Sequence, residues 1–290
     1  MEKNAISFEK QVSMTRMKDA LSKTIIYAVL VIWAFTTVFT LFWVINNSFK
    51  DKAVILTDPF SLAVKPIMDN YETAFSKMNI GRSYLNSLVI SGSTVVLVMF
   101  FAGLAAYAMT RYRFKMRTPI YLILTGSLLF PAFSTIVPLF KMILGMKLVS
   151  NPLGVIIPQT ASNMSFAIIV LMGFMSNLPL ELEEAAFMEG CGIFKIFFKI
   201  IIPISKPAFA TVAIFTFLWS YNDLFVQMVM LRKRETYPIC ALLNEISSQF
   251  GTDFGLMASA VTLVVMPVLL VYLFLQKNIV KGLTAGAIKG

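Results

Sequence analysis

A chain of 290 residues that is 58% hydrophobic and only 14% charged, with a mean hydropathy of +0.77, leaves no room for an ordinary soluble domain. It contains no His, which removes the commonest general base and transition-metal ligand, and no Gly-x-x-x-x-Gly-Lys-Ser/Thr stretch with which to cradle a nucleotide phosphate. The net charge of +10 is scattered through short connectors rather than gathered with aromatics, which speaks for membrane topology and against nucleic acid.

Residues 1–24 are polar and mostly basic, and the apolar run that follows, 24–45, is too long for a signal-peptide core. An uncleaved first transmembrane helix is expected over 25–47, after a cytoplasmic segment 1–24. Residues 48–83, with Pro59 and Pro66, form an extracellular connector. A five-helix core occupies 84–275, with spans near 84–107, 119–142, 152–175, 207–231 and 254–275, each close to the roughly 20 residues that cross a bilayer. Span 84–107 places Ser87, Ser91, Ala102 and Ala106 at helical spacing, a face for close helix packing. Pro131, Pro138 and Pro158 lie within spans and require neighbouring helices to satisfy the freed carbonyls. The fold class is therefore all-α and polytopic, with six transmembrane helices, a polar loop at 176–206 and a basic tail at 276–290.

With six spans both termini share one side. That side, with the run Arg111-Tyr112-Arg113-Phe114-Lys115-Met116-Arg117 and the 176–206 loop, carries 15 of the 25 Lys and Arg residues and is assigned to the cytoplasm. The two cysteines, Cys191 and Cys240, then fall on opposite faces, which excludes a disulfide between them and leaves no metal site.

The loop 176–206 contains Glu181-Leu182-Glu183-Glu184-Ala185-Ala186-Phe187-Met188-Glu189-Gly190-Cys191-Gly192 and runs on to Pro203. Its carboxylates and alanines predict a short helix, which Gly190 and Gly192 stop or bend before a second segment returns to the membrane. Glu184-Ala185-Ala186, three residues, Gly190, nine residues, then Ile200, Ile202 and Pro203 resembles the EAA signature of ABC importer permeases, with Ile202 where Leu is usual. The resemblance implies a cytoplasmic coupling helix between spans four and five that docks on an ATPase subunit. Glu184, Ala185, Ala186 and Gly190 would be its ATPase-coupling residues.

The stretch 207–223 and the ending 280–290 are similar to the shorter, six-span permease of maltose-type carbohydrate importers. That likeness implies a second, different permease subunit, two ATPase subunits or domains, and an extracellular solute-binding protein, in a bacterial cell membrane. It implies a di- or oligosaccharide as cargo, with another polar solute such as a glycerol phosphate or polyol as the alternative. It implies no catalytic site and no cofactor in this chain, ATP and Mg being held by the partner ATPase. A secondary transporter would show inverted repeats and a buried ion site, whereas no internal repeat occurs and Asp223 is the sole acid within a span. An intramembrane enzyme lacks a convergent catalytic set.

Substrate-pathway candidates follow from polar residues in the spans. Gln159, Ser162, Asn163 and Phe166 stand at i, i+3, i+4 and i+7, so they share a helix face suited either to sugar hydroxyls or to interhelical hydrogen bonds. Asn222 and Asp223 lie about 24 Å along a helix from Pro207, toward the extracellular end. An intramembrane Asp points to function by default, and helix packing or capping is the other reading. Trp219, Tyr221 and Phe225 are expected as bundle core or interface anchors.

Overall fold

The computed structural model describes residues 2–242, 244 and 253–287 and divides into two units, Met1–Tyr71 with Thr252–Thr262, and Glu72–Gly251 with Leu263–Gly290. Among the described residues every regular element is helical.

The first unit is built on α1 (Glu2–Ser48). Within its stretch Ala20–Ser48 the most apolar 18-residue window has a mean hydropathy of 2.3 and buries nothing against the rest of the chain. Thr24, Thr37 and Thr40 donate their hydroxyls to carbonyls four residues back, which removes polar groups from an otherwise apolar surface. The short α2 (Lys52–Thr57) is capped by Asp51, whose carboxylate accepts from Ala53 N at 2.8 Å. Asn70 ties the end of α1 to the segment after it, donating through Nδ2 to Ser48 O and Lys50 O, both at 2.9 Å. A Cβ at Gly255 would come within 2.8 Å of both Asn70 Nδ2 and Lys50 O, so only glycine fits this approach.

The second unit is organised by α4 (Ile80–Arg111), which follows α3 (Asp69–Met78). The small-residue face read from the sequence is buried: Ser87, Ser91, Ala102 and Ala106, extended by Ser83, Thr94 and Gly103. It packs against α7 (Leu153–Met175) and α10 (Lys206–Asn222). The approach is close enough that a Cβ at Gly103 would stand 3.0 Å from the Phe209 ring. Val98, Ala102 and Ala106 of α4, Ala167 and Leu171 of α7, and Ala208 and Val212 of α10 share one buried cluster with Phe197.

Two expected spans are broken. Residues 119–142 are not one helix but α5 (Arg117–Ser127), a 3₁₀ turn at Ala132–Thr135 and α6 (Ile136–Gly145). The break falls at Pro131, which has no N–H to continue the ladder and holds φ −64°, ψ 127°. Pro138 then lies in the first turn of α6, where N–H groups have no helical partner in any case. The span expected at 207–231 is α10 followed by α11 (Leu224–Met230), with Asp223 between them.

Downstream of the polar loop, α9 (Ile193–Ile204) meets α10 at Ser205 with a bend of 81°. It contains a π-turn at Phe197–Ile201, closed by Ile202 N on Phe197 O. The last helix, α12 (Phe254–Ala287), runs past the expected span and through most of the expected tail; Ile288–Gly290 lie outside the described residues. Among the described residues Ala20–Ser48, α4, α7 and Phe254–Phe274 are each long and apolar enough to cross a bilayer, and α9 with α10 adds a fifth crossing if the bent pair counts as one.

α4 also sets two connectors apart. Near its start, Asn86 Nδ2 donates to Glu235 O at 2.9 Å, and Ser87 Oγ accepts from Ile239 N at 2.8 Å. At its end, Arg111 meets the polar loop. Ser87 and Arg111 are 24 residues apart, or about 36 Å along the helix. That exceeds the roughly 30 Å of a hydrocarbon core, and the connector after α11 and the polar loop stand at opposite ends of α4.

Candidate functional site

The polar loop forms α8 (Glu181–Met188), whose first turn holds Glu181, Glu183 and Glu184 where the helix dipole favours negative charge. Its end is a Schellman turn: Cys191 N donates to Ala186 O at 3.0 Å and Gly190 N to Phe187 O at 2.9 Å. Gly190 has φ +76°, the left-handed conformation that the turn needs. The four coupling candidates therefore divide. Glu184, Ala185 and Gly190 are exposed, whereas Ala186 is buried against the core. Phe187 and Met188 stand outward beside them, Met188 at 90% exposure, an unusual position for a methionine.

Glu183, not singled out from the sequence, is the acid that turns inward. It is 5% exposed, accepts from Tyr107 Oη at 2.7 Å and stands 2.5 Å from Arg111 Nε. Arg111 also donates through Nη2 to Leu178 O at 3.2 Å. The last turn of α4 thus grips both the entry to α8 and its first turn. The available signal was that Glu183 shares a helix face with Ala186, three residues on, while Glu184 lies about 100° away.

Toward the start of α7 and the end of α10 lies a cavity of about 770 Å³. Gln159, Ser162, Asn163 and Phe166 all line it, as the i, i+3, i+4, i+7 spacing predicts, and Asp223 joins them from the α10–α11 break. Asn222 is exposed, bonds back to Leu218 O at 2.8 Å, and is not part of the lining. Trp219 and Phe225, expected as core or anchors, line the cavity together with Phe133; only Tyr221 is core, at 1% exposure. Phe166 and Trp219 pack edge to face with centroids 4.8 Å apart, and Phe133 and Phe225 do so at 4.6 Å.

A hydrogen-bond chain holds this wall. Gln159 Nε2 donates to Asp223 Oδ2 at 2.9 Å, and Gln159 Oε1 accepts from Ser220 Oγ at 2.6 Å. A hydroxyl has one proton, so Ser220 receives from Ser91 Oγ, 3.2 Å away. Asp223 Oδ1 accepts from Val226 N at 3.2 Å and caps α11. Asn163 Nδ2 donates to Gln159 O at 2.7 Å. Aromatic edges beside amide, hydroxyl and carboxylate groups suit the apolar face and hydroxyl rim of a polar ring compound.

Cys240, on the connector after α11, is buried and donates to Tyr221 O at 3.1 Å. Burial, helped by the Asp223 carboxylate, pushes its thiol up to about 11.

Residues 99–285 match the family described as the binding-protein-dependent transport system inner membrane component. The chain is 32% identical over 265 residues to the diacetylchitobiose uptake system permease protein NgcG of Streptomyces coelicolor, covering 91% of this chain and 88% of that one. It is 31% identical over 256 residues to the arabinooligosaccharides transport system permease protein AraQ of Bacillus subtilis, covering 87% and 90%. Its fold is similar to a chain from the crystal structure of a bacterial ABC transporter involved in import of the acidic polysaccharide alginate, with a TM-score of 0.78 at 24% identity over 90% of this chain and 97% of that one.

Proposed function

We propose, from the premise that this chain belongs to the family of binding-protein-dependent transport system inner membrane components, that it carries an oligosaccharide across a bacterial cell membrane together with a second permease. The chain is a multi-pass permease subunit of an ABC importer. Its cargo is a neutral di- or oligosaccharide, a reading supported by the relatives named for diacetylchitobiose and arabinooligosaccharides and by the aromatic and amide lining of the cavity.

The observation that carries the coupling role is the two-sidedness of α8. Glu183 and Ala186 are buried against the chain's own core, while Glu184, Ala185, Phe187 and Met188 are presented outward on a helix closed by Gly190. A helix held rigidly on one face and left open on the other is suited to seat in a cleft of a partner ATPase, with Glu184 facing a basic group there. ATP and Mg are held by that partner, and an extracellular binding protein delivers the solute. The end of the second unit bearing α8 and Arg111 is then cytoplasmic, and the basic residues of the two chain ends assign both termini to the same compartment. Closure of the ATPase pair displaces α8, the Arg111–Glu183 contact passes the displacement to α4, and the cavity alternates between the two sides.

Purification of the complex in mild detergent tests the reading. The wild-type chain is expected to retain its ATPase and Glu184→Ala to lose most of it, with equal amounts of permease in the membrane. Full retention in the variant would remove α8 as the docking element.

A further inference from the structure

A second concavity, of about 580 Å³, lies where the end of α4, the start of α5 and the end of α7 meet. Its lining combines the polar Thr110, Arg111, Arg117, Thr118 and Ser176 with the apolar Ile169 and Met172. Glu183 already neutralises Arg111. Arg117 is different: it is half-buried, and among the described residues its guanidinium makes neither an ion pair nor a hydrogen bond. The cleft thus keeps a net positive charge, and the exposed Arg113 and Lys115 of the same connector add to its field.

Three features narrow what would occupy it. The planar guanidinium of Arg117, with the Thr118 hydroxyl next to it in sequence, matches the several oxygens of a phosphate ester better than a single point charge would, while the Thr110 and Ser176 hydroxyls are committed to Ala106 O and Gly173 O. The site stands at the end of helices that cross the bilayer, at the depth of lipid headgroups. On α5, whose Thr118 and Tyr121 line the cleft, the neighbouring Leu122 and Ile123 are 64% and 69% exposed and offer apolar surface to hydrocarbon. We infer that this cleft binds the phosphate of an anionic membrane phospholipid, with Arg117 as its main ligand and an acyl chain laid along α5. The inference rests on the chain spanning a membrane and not on how α8 engages an ATPase.

The test uses the assembled transporter in nanodiscs of phosphatidylcholine with one-fifth phosphatidylglycerol, and counts the phosphatidylglycerol retained after detergent stripping by native mass spectrometry. Arg117→Gln is expected to lower that retention about tenfold, the loss of one charge-assisted contact, while Arg113→Gln, the same charge removed outside the cleft, stays within about twofold of wild type. Equal losses in the two variants would mean diffuse surface attraction and overturn the site, as would unchanged retention in Arg117→Gln. Displacement of the lipid by inorganic phosphate alone at millimolar concentration would also overturn it, since the acyl track would then contribute nothing. Should Arg117→Gln fail to assemble, Ser176→Trp fills the cleft without altering charge; the same loss is expected and unchanged retention overturns the site. Uptake by a variant that has lost its lipid reads out separately, so failure here leaves the transport role untouched.

Discussion

Arg111 Nε stands 2.5 Å from Glu183 Oε1, with both side chains more than nine-tenths buried, and this contact joins the last turn of α4 to the first turn of α8. Removing one member of a buried ion pair leaves the other charge uncompensated and costs about 3–5 kcal/mol. Glu183→Ala is therefore expected to reduce thermal stability and membrane yield strongly, and the apolar double replacement Arg111→Met with Glu183→Leu to recover most of it. A thermal-unfolding double-variant cycle measures the coupling; additive losses would show that the two groups act separately.

Glu184, one residue on, faces outward, so its truncation has no burial penalty. Glu184→Ala is expected to lower solute uptake at least several-fold with unchanged membrane level. Uptake at the wild-type rate would sink the assignment of Glu184 to docking.

At Gly190 the φ of +76° is open to glycine and occasionally to Asn, and costs other residues about 1–2 kcal/mol. No atom lies within 4 Å of a Cβ placed there, so conformation rather than space is the constraint. Gly190→Val is expected to weaken solute-stimulated ATP hydrolysis by the assembled complex and Gly190→Asn largely to preserve it. Equal behaviour of the two would mean that the turn is not the reason for glycine.

Asp223 accepts from Val226 N through Oδ1 and from Gln159 Nε2 through Oδ2; an Asn, with one oxygen, keeps the capping bond and loses the bond to Gln159. If capping is its task, Asp223→Asn keeps most of the uptake, while Asp223→Ala loses about 1 kcal/mol of helix stability and much of the uptake. Initial uptake rates across both variants decide it, since an Asn variant as poor as Ala would assign the role to the full carboxylate rather than to the cap.

The thiolate, not the thiol, reacts with maleimide. With its thiol raised from 9.0 to about 11 by burial and Asp223, Cys240 stays protonated at pH 8, and its labelling should begin to rise only as the pH approaches 11. Cys191 is half-buried, and labelling of the intact protein at pH 8 is expected there and not at Cys240. Mass mapping of the labelled peptide would contradict this burial if Cys240 reacted first.

Periodicity made much of this molecule readable in advance. The small-residue face of α4 and the cavity face of α7 both follow from 3.6-residue spacing, and Gly190 follows from the helix–turn pattern around it. What stayed hidden was tertiary. Four acids stand within nine residues of one another, and only the approach of Arg111, more than seventy positions earlier, decides that Glu183 turns inward. The breaks at Pro131 and Asp223 were equally illegible, because an apolar composition looks the same whether one helix or two carries it. Trp219 and Phe225 lie beside that second break, which is why a single-helix reading missed their place on the cavity wall.

The π-turn in α9 closes with Ile202 N on Phe197 O, five residues back, so one residue is surplus to α-helical count. Ile196 and Ile201, also five apart, are both fully buried, although an uninterrupted α-helix would set them about 140° apart. The surplus residue therefore works as a phase adjuster, letting two stretches with different helical phase present one continuous buried side. Deleting a single position such as Phe198 would restore an ordinary helix and turn everything on its polar-loop side by about 100° relative to α10, a change of angle between docking surface and membrane that alters none of the side chains at either end.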